Sequence, residues 1–128
     1  MEDLFGDYSS VIRLKKTDFN ITNKNLLINN KNFKNKQGLI IFNAPWCSHC
    51  RKSVDIFNDI AQQYLHKYPI GSVNMQDYDN ENDHLHQYIS IKTYPKIMIV
   101  SKDGTLHQYK GDISRDSLLF HIVSTTED

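Results

Sequence analysis

The segment G-L-I-I-F-N, Gly38 to Asn43, sets the strongest limit on how this chain can fold. It has the length of a strand, and its unbroken apolar character is typical of a strand buried on both faces of a sheet. After Pro45, apolar residues recur at spacings of three and four, which predicts a long helix that ends at Pro69. A second strand is predicted over Ile70 to Asn74. Together these elements form a strand–helix–strand unit with the apolar segment at the centre of a sheet.

Shorter patterns predict the elements around this unit. Val11 to Leu14 is typical of an edge strand, and Thr17 or Asp18 resembles the cap of a helix that starts there. Leu26 to Ile28 predicts a short strand, with Phe33 as an apolar anchor. The C-terminal part predicts three more elements: a short helix over Asn82 to Ile89, an edge hairpin with strands Ile97 to Val100 and Leu106 to Tyr109, and a helix from Ser114 to Thr125 that covers the sheet.

The length and composition fit one globular domain. Residues 1–128 are expected to form a single domain, with about residues 1–10 as a flexible N-terminal extension. Fifteen basic and fifteen acidic side chains balance, so we expect no nucleic-acid partner and no membrane partner. The acidic start M-E-D-L-F-G-D-Y lacks the features of a secretory signal. We therefore expect a soluble, intracellular protein that is located in the cytoplasm. We also expect it to be a monomer.

The charge is nevertheless uneven along the chain. Between Asp18 and Asp55 there is no acidic residue, and this stretch contains both cysteines and six cations: Lys24, Lys31, Lys34, Lys36, Arg51 and Lys52. We call these cations the basic window. They form either an ordinary solvated face or a surface that steers acidic substrates.

Cys47 and Cys50 are the only cysteines, and two residues separate them. Two cysteines cannot form the multi-bridge framework of small secreted proteins. A zinc site would need two more ligands, for which His84 and His86 are the candidates. The chain has no second Cys-x-x-Cys pair, and two histidines with one residue between them do not have usual ligand spacing. These facts favour a redox pair over a metal site, and we expect no metal.

The redox interpretation depends on where the helix after Pro45 begins. If it begins at Cys47, unpaired backbone N–H groups and the positive end of the helix dipole stabilise an exposed thiolate there. Cys50 lies one turn further on, where its sulfur can close a bond with the first. Cys47 is then the attacking sulfur and Cys50 the resolving one. His49, between them, is predicted to tune the redox potential, and Trp46 to cover one side of the pair.

Several short motifs together resemble the thioredoxin superfamily. These are A-P-W-C-S-H-C after the buried strand, T-Y-P before another strand, then K-D-G and Y-K-G, spread over Val11 to Val123. The most similar branch is the catalytic domains of protein disulfide isomerases, which carry A-P-W-C-G-H-C. The resemblance implies an α/β fold with a central mixed sheet flanked by helices on both faces. It also implies a cis-proline at Pro95, with Trp46, Tyr94 and Pro95 forming the substrate-binding surface.

Three residues depart from this family's pattern. Ile41 replaces a buried acid that relays protons to the inner cysteine, Asn43 replaces an aromatic residue, and Ser48 replaces a glycine. These changes bear on the rate of the reaction more than on its type.

The functional expectation is a thiol–disulfide oxidoreductase that acts on protein thiols and disulfides. Because the sequence has no flavin or nicotinamide fingerprint, we expect no cofactor and a separate protein as electron donor or acceptor. The alternative is a catalytically weak module that binds a protein partner at the face formed by Cys47 and Pro95. A thiol peroxidase would need a threonine and an arginine arranged around the cysteine to activate peroxide, and the sequence offers no such arrangement.

Overall fold

The computed structural model describes residues 3–23 and 25–124. Its strands are β1 (Ile12–Leu14), β2 (Phe19–Thr22), β3 (Asn25–Ile28), β4 (Gly38–Asn43), β5 (Ile70–Asn74), β6 (Lys96–Val100) and β7 (Leu106–Gln108). Its α-helices are α1 (Ser48–Gln63) and α2 (Arg115–Ser124), and short 3₁₀ helices span Lys16–Asp18, Lys31–Phe33 and Asn82–Gln87.

Five strands form one mixed sheet in the order β1-β5-β4-β6-β7. The central strand β4 runs parallel to β5 and antiparallel to β6, and all six of its residues are buried. Gly38 is required at the start of β4, because a Cβ there would lie 2.3 Å from the carbonyl oxygen of Pro69. The predicted strand–helix–strand unit and the mixed α/β fold are confirmed.

The side chains of β4 point alternately to the two faces of the sheet, so the core consists of two clusters. Leu39 and Ile41 face α1 and α2, where they pack with residues such as Phe57. Ile40 and Phe42 face the opposite side, which is covered by the β2–β3 hairpin and the segment around the 3₁₀ helix Asn82–Gln87. The sheet is therefore covered on both faces, and both α-helices lie on the same one.

Four local predictions need correction. The helix expected from Thr17 or Asp18 is one 3₁₀ turn, because Phe19 instead begins β2, which pairs with β3. Helix α1 ends at Gln63, well before Pro69. The intervening chain forms tight turns, which allow it to return to the start of β5.

The other two corrections concern the C-terminal elements. Of the two hairpin strands, only β7 lies at an edge of the sheet, since β6 pairs with β4 as well as with β7. The helix expected to cover the sheet does so with only part of its apolar side chains, because Leu118 and Ile122 are buried whereas Val123 is 43% exposed. Thr125, the predicted end of that helix, lies outside the described residues.

The N-terminal segment contributes to the core. Phe5 is 2% exposed and belongs to the cluster on the α1 side of the sheet. Leu4 beside it packs against the same cluster. Part of the stretch that the sequence suggests as an extension is thus packed against the domain.

Candidate active site

The first cysteine caps α1, as the sequence predicts. Cys47 has an extended backbone at the N-cap position, and its sulfur accepts a hydrogen bond from the backbone N–H of Cys50 at 3.2 Å. This contact satisfies one of the N–H groups that a helix leaves unpaired at its start. The helix dipole and this donor both favour negative charge on the Cys47 sulfur.

The loop before β6 forms the wall opposite the cysteines. The thiol of Cys47 donates to the carbonyl oxygen of Tyr94 over 3.6 Å, and the Tyr94–Pro95 peptide bond is cis. The Tyr94 ring meets the Trp46 ring edge-on, with centroids 5.6 Å apart, and its hydroxyl lies 3.3 Å from Nε2 of His86. The structure therefore brings Trp46, Tyr94 and Pro95 to the same side of the cysteine pair.

The expectation of an exposed Cys47 sulfur is wrong. Cys47 is 5% exposed and Cys50 is 3% exposed, and both cysteines are free. The two side chains form a small cluster with Ala44, against which Leu4 and Tyr94 pack. Trp46, which we expect to cover the pair, is itself 58% exposed. Its covering role stays a prediction, and Leu4 and Tyr94 contribute cover as well.

Burial changes the acidity of the inner thiol. Loss of water around Cys50, together with the hydrogen bond it shares with Cys47, raises the pKa of Cys50 to about 12. A backbone hydrogen bond at Ala44 opposes this rise without cancelling it. Burial also raises the pKa of Tyr94. The inner cysteine is therefore a neutral thiol at neutral pH.

The buried positions beneath the helix carry no carboxylate. Ile41 is 1% exposed and Asn43 is also buried. The Asn43 amide donates to the Ser72 hydroxyl at 2.6 Å and to the Ile41 carbonyl oxygen at 3.3 Å. Asn43 and Ser72 thus bring an amide and a hydroxyl to the layer of α1-facing side chains that contains Ile41.

The two residues between the cysteines are exposed. The described contact of His49 runs through its backbone, whose carbonyl accepts from the Ser53 hydroxyl at 3.3 Å. Its tuning role stays a prediction. Arg51 places a further cation here, because its guanidinium folds back to donate to the Pro45 carbonyl at 2.8 Å.

The arrangement required by the zinc alternative is not formed. Within residues 3–23 and 25–124, no three His, Cys, Asp or Glu side chains are grouped in a way that could hold a metal ion. His84 lies 3.3 Å from the Glu81 carboxylate, while His86 contacts the Tyr94 hydroxyl. The two histidines are thus directed to other partners than the cysteines.

Sequence reasoning missed the contribution of Leu4 to this site. The only signal is the apolar pair Leu4-Phe5 inside an acidic N-terminal stretch, which does not reveal where the pair would pack.

The described part of the chain contains no helix long and apolar enough to cross a bilayer.

Comparisons with known proteins agree with this geometry. A family model described as Thioredoxin matches residues 10–124. A thioredoxin domain-containing protein of Theileria parva is 32% identical over 119 residues, covering 84% of this chain and 51% of that protein. A protein disulfide-isomerase of Ricinus communis is 29% identical over 87 residues, covering 68% of this chain and 17% of that protein. The chain thus spans about half of the first relative and far less of the second.

Solved structures show the same fold. The J-Trx1 fragment of ERdj5 has a TM-score of 0.66 at 19% identity, covering 91% of this chain and 52% of that one. Thioredoxin f from spinach chloroplast has a TM-score of 0.64 at 18% identity, covering 98% of each chain. The family match over most of the sequence, together with the mixed sheet and the cysteine pair at the start of α1, leads to one assignment. This chain belongs to the thioredoxin family.

Proposed function

We propose that this protein is a thiol–disulfide oxidoreductase that exchanges disulfides with other proteins through Cys47 and Cys50. The observation that carries the proposal is the 3.2 Å hydrogen bond from the Cys50 N–H to the Cys47 sulfur. That contact fixes one sulfur at the positive end of α1 and the second one turn away, as nucleophilic attack and ring closure require. Relatives named protein disulfide-isomerase support protein disulfides as the substrate class.

In the reductive direction the Cys47 thiolate attacks one sulfur of a substrate disulfide. The substrate S–S bond breaks, a mixed disulfide forms, and the second substrate sulfur leaves as a thiolate that takes a proton from solvent. Cys50 then loses its proton and attacks the Cys47 sulfur, which releases the first substrate thiol. The substrate gains two electrons and the protein is left with a Cys47–Cys50 disulfide. A separate donor protein returns the electrons.

The surface around the pair supports a role in holding the substrate. Trp46 presents a large exposed ring next to Tyr94, and Pro95 follows Tyr94 at the mouth of the site. We assign Trp46, Tyr94 and Pro95 to contact with the substrate backbone, and Leu4 to a cover that must move before a substrate sulfur can reach Cys47.

The direction of exchange depends on the potential of the pair relative to its compartment. The relatives found give no support to the cytoplasmic location predicted from the first residues. Measuring the Cys47–Cys50 potential against glutathione decides whether the protein oxidises or reduces its substrates. A value near those of the strong oxidants would agree with the predicted effect of His49.

Trapping tests the proposal directly. Cys50→Ser should accumulate mixed disulfides with protein substrates through Cys47, because the resolving sulfur is gone. These adducts should disappear on reduction and be absent from the Cys47→Ser/Cys50→Ser control. If Cys50→Ser captures no protein and the wild type reduces no disulfide substrate, the proposal is wrong.

A result in which Cys50→Ser captures no protein and the wild type reduces no disulfide would favour the second candidate. That candidate is a module that binds a protein partner at the face formed by Cys47 and Pro95. Two observations favour that candidate: both cysteines are buried, and burial raises the pKa of the inner thiol to about 12 while Ile41 occupies the position at which the resemblance implies an acid. A partner bound equally well by wild type and by the double serine variant would identify it.

A further inference from the structure

A groove of about 480 Å³ adjoins the candidate active site through Pro95. Thr93 and Pro95 line it, and Tyr94 between them carries the carbonyl that accepts the Cys47 thiol. Its other wall is formed by the chain that leaves β7, where Tyr109 is buried beneath the surface. A polypeptide whose disulfide reaches Cys47 would have this groove next to the reacting sulfur.

The charge of the groove is one-sided. Lys92, Lys96 and Lys110 line it, and none of its lining residues is acidic. Lys92 and Lys110 are exposed and Lys96 is half-buried. Among residues 3–23 and 25–124, none of the three lies in an ion pair. Three uncompensated cations in a concave surface concentrate positive potential there.

We propose that this lysine groove binds acidic residues of a protein substrate, next to the disulfide that reacts with Cys47. The proposal rests on the proposed function and adds the class of substrate to it. Carboxylates in the groove would offset the charge of the lysines, speed the encounter and hold the disulfide beside Cys47. The protein would then prefer disulfides flanked by Asp or Glu.

Part of the basic window that the sequence suggests for this role lies elsewhere. Lys31 and Lys34 line another groove, of about 350 Å³, together with Lys102. That groove lies near the opposite end of the sheet, because Val100, just before Lys102, pairs with Gly38 at the start of β4. Lys24 lies outside the described residues. The distant groove therefore offers a matched control for charge effects.

The experiment compares two peptides that share one disulfide and differ only in flanking residues, Asp and Glu in one and Ser and Asn in the other. For the wild type we expect kcat/KM to be about tenfold higher for the acidic peptide at low salt. The preference should shrink as ionic strength rises. Lys92→Glu/Lys110→Glu should abolish or reverse it.

Lys34→Glu/Lys102→Glu makes the same change in net charge and should keep the preference. Both double variants should react with a small uncharged disulfide at the wild-type rate, because neither changes the cysteines. A wild type without preference, or two double variants that lose it equally, would overturn the proposal.

A peptide with serines in place of its cysteines separates this inference from the function on which it rests. The acidic version should bind the wild type and shift the NMR signals of residues around the groove. It should bind Lys92→Glu/Lys110→Glu at least fivefold more weakly. If the wild type reduces neither disulfide peptide, the proposed function fails, and this binding measurement still decides whether the groove recognises acidic chains.

Discussion

Cys50 is the residue at which the proposed chemistry meets its largest obstacle. Its thiol must lose a proton to resolve a mixed disulfide, yet burial and the contact with Cys47 raise its pKa to about 12. The buried strand position at which the resemblance implies an acid holds Ile41, and the side chains of Asn43 and Ser72 bring an amide and a hydroxyl to that layer. Resolution should therefore be slower than attack at neutral pH.

This imbalance predicts the pH dependence of resolution. Burial, the largest cause of the raised pKa of Cys50, persists in the mixed disulfide, whereas the contact with the Cys47 thiol does not. Below this raised pKa, the thiolate fraction of Cys50 rises about tenfold for each pH unit. We therefore expect the rate of resolution to rise by about that factor per unit between pH 7 and pH 9. Stopped-flow release of the substrate thiol held in a preformed Cys47 mixed disulfide measures this rate.

Cys50→Ser, which cannot resolve, is the control and should show no release at any pH. A wild-type rate that is flat above pH 7 would contradict the prediction. It would mean that the protein supplies a proton acceptor for the Cys50 thiol.

At the scale of elements, the N-terminal segment acts as a cover for the cysteines. Leu4 packs against Ala44, Cys47 and Cys50, and it also packs against the core cluster that contains Phe5. Since Cys47 is only 5% exposed, we expect a substrate sulfur to reach it more readily when this contact opens. Access to the nucleophile is thus linked to the stability of a short segment.

Shortening that cover should expose the nucleophile. Leu4→Ala removes about 1 kcal/mol of packing, so opening becomes about fivefold more favourable. Alkylation of Cys47 by iodoacetamide should become faster by about that factor. Leu65→Ala, at a leucine that is 49% exposed, should leave the rate unchanged. Equal rates in the two variants would show that Leu4 does not limit access.

The elements that could be predicted from sequence are those in which local pattern and tertiary role agree. An apolar run predicts the buried strand β4. A proline marks where the chain can enter β5, and the cysteine spacing predicts the start of α1. The β2–β3 hairpin was not predicted as a pair, because Phe19 follows residues that resemble a helix cap. Pairing with β3 outweighs that local preference.

At the scale of the whole molecule, the candidate site combines predictable and unpredictable parts. The cysteine pair follows from spacing alone, since it requires only one helical turn. The lysine groove joins Lys92 and Lys96 to Lys110, and the cover joins Leu4 to Cys47. The lysine groove and the cover both depend on chain segments that only the folded sheet brings together. Neither has a local pattern in the sequence from which it could be predicted.

The same long-range packing extends the domain beyond the residues that define its family. The family match begins at residue 10, but Phe5 is 2% exposed within the core cluster on the α1 side of the sheet. Within this segment, the Asp3 carboxylate accepts the Phe5 N–H at 3.0 Å. Burial raises the pKa of Asp3 as well. Leu4 and Phe5 therefore contribute to the stability of the domain.

Phe5→Ala should accordingly destabilise the whole fold. Truncating a buried phenylalanine removes apolar contacts and leaves a cavity, at a cost of about 3 to 5 kcal/mol in the free energy of unfolding. Urea denaturation of the reduced protein measures this loss. Phe120→Ala, at a phenylalanine that is 67% exposed, should change the free energy of unfolding by less than about 1 kcal/mol. If the two variants lose equal stability, Phe5 does not belong to the core, and the domain begins where the family match begins.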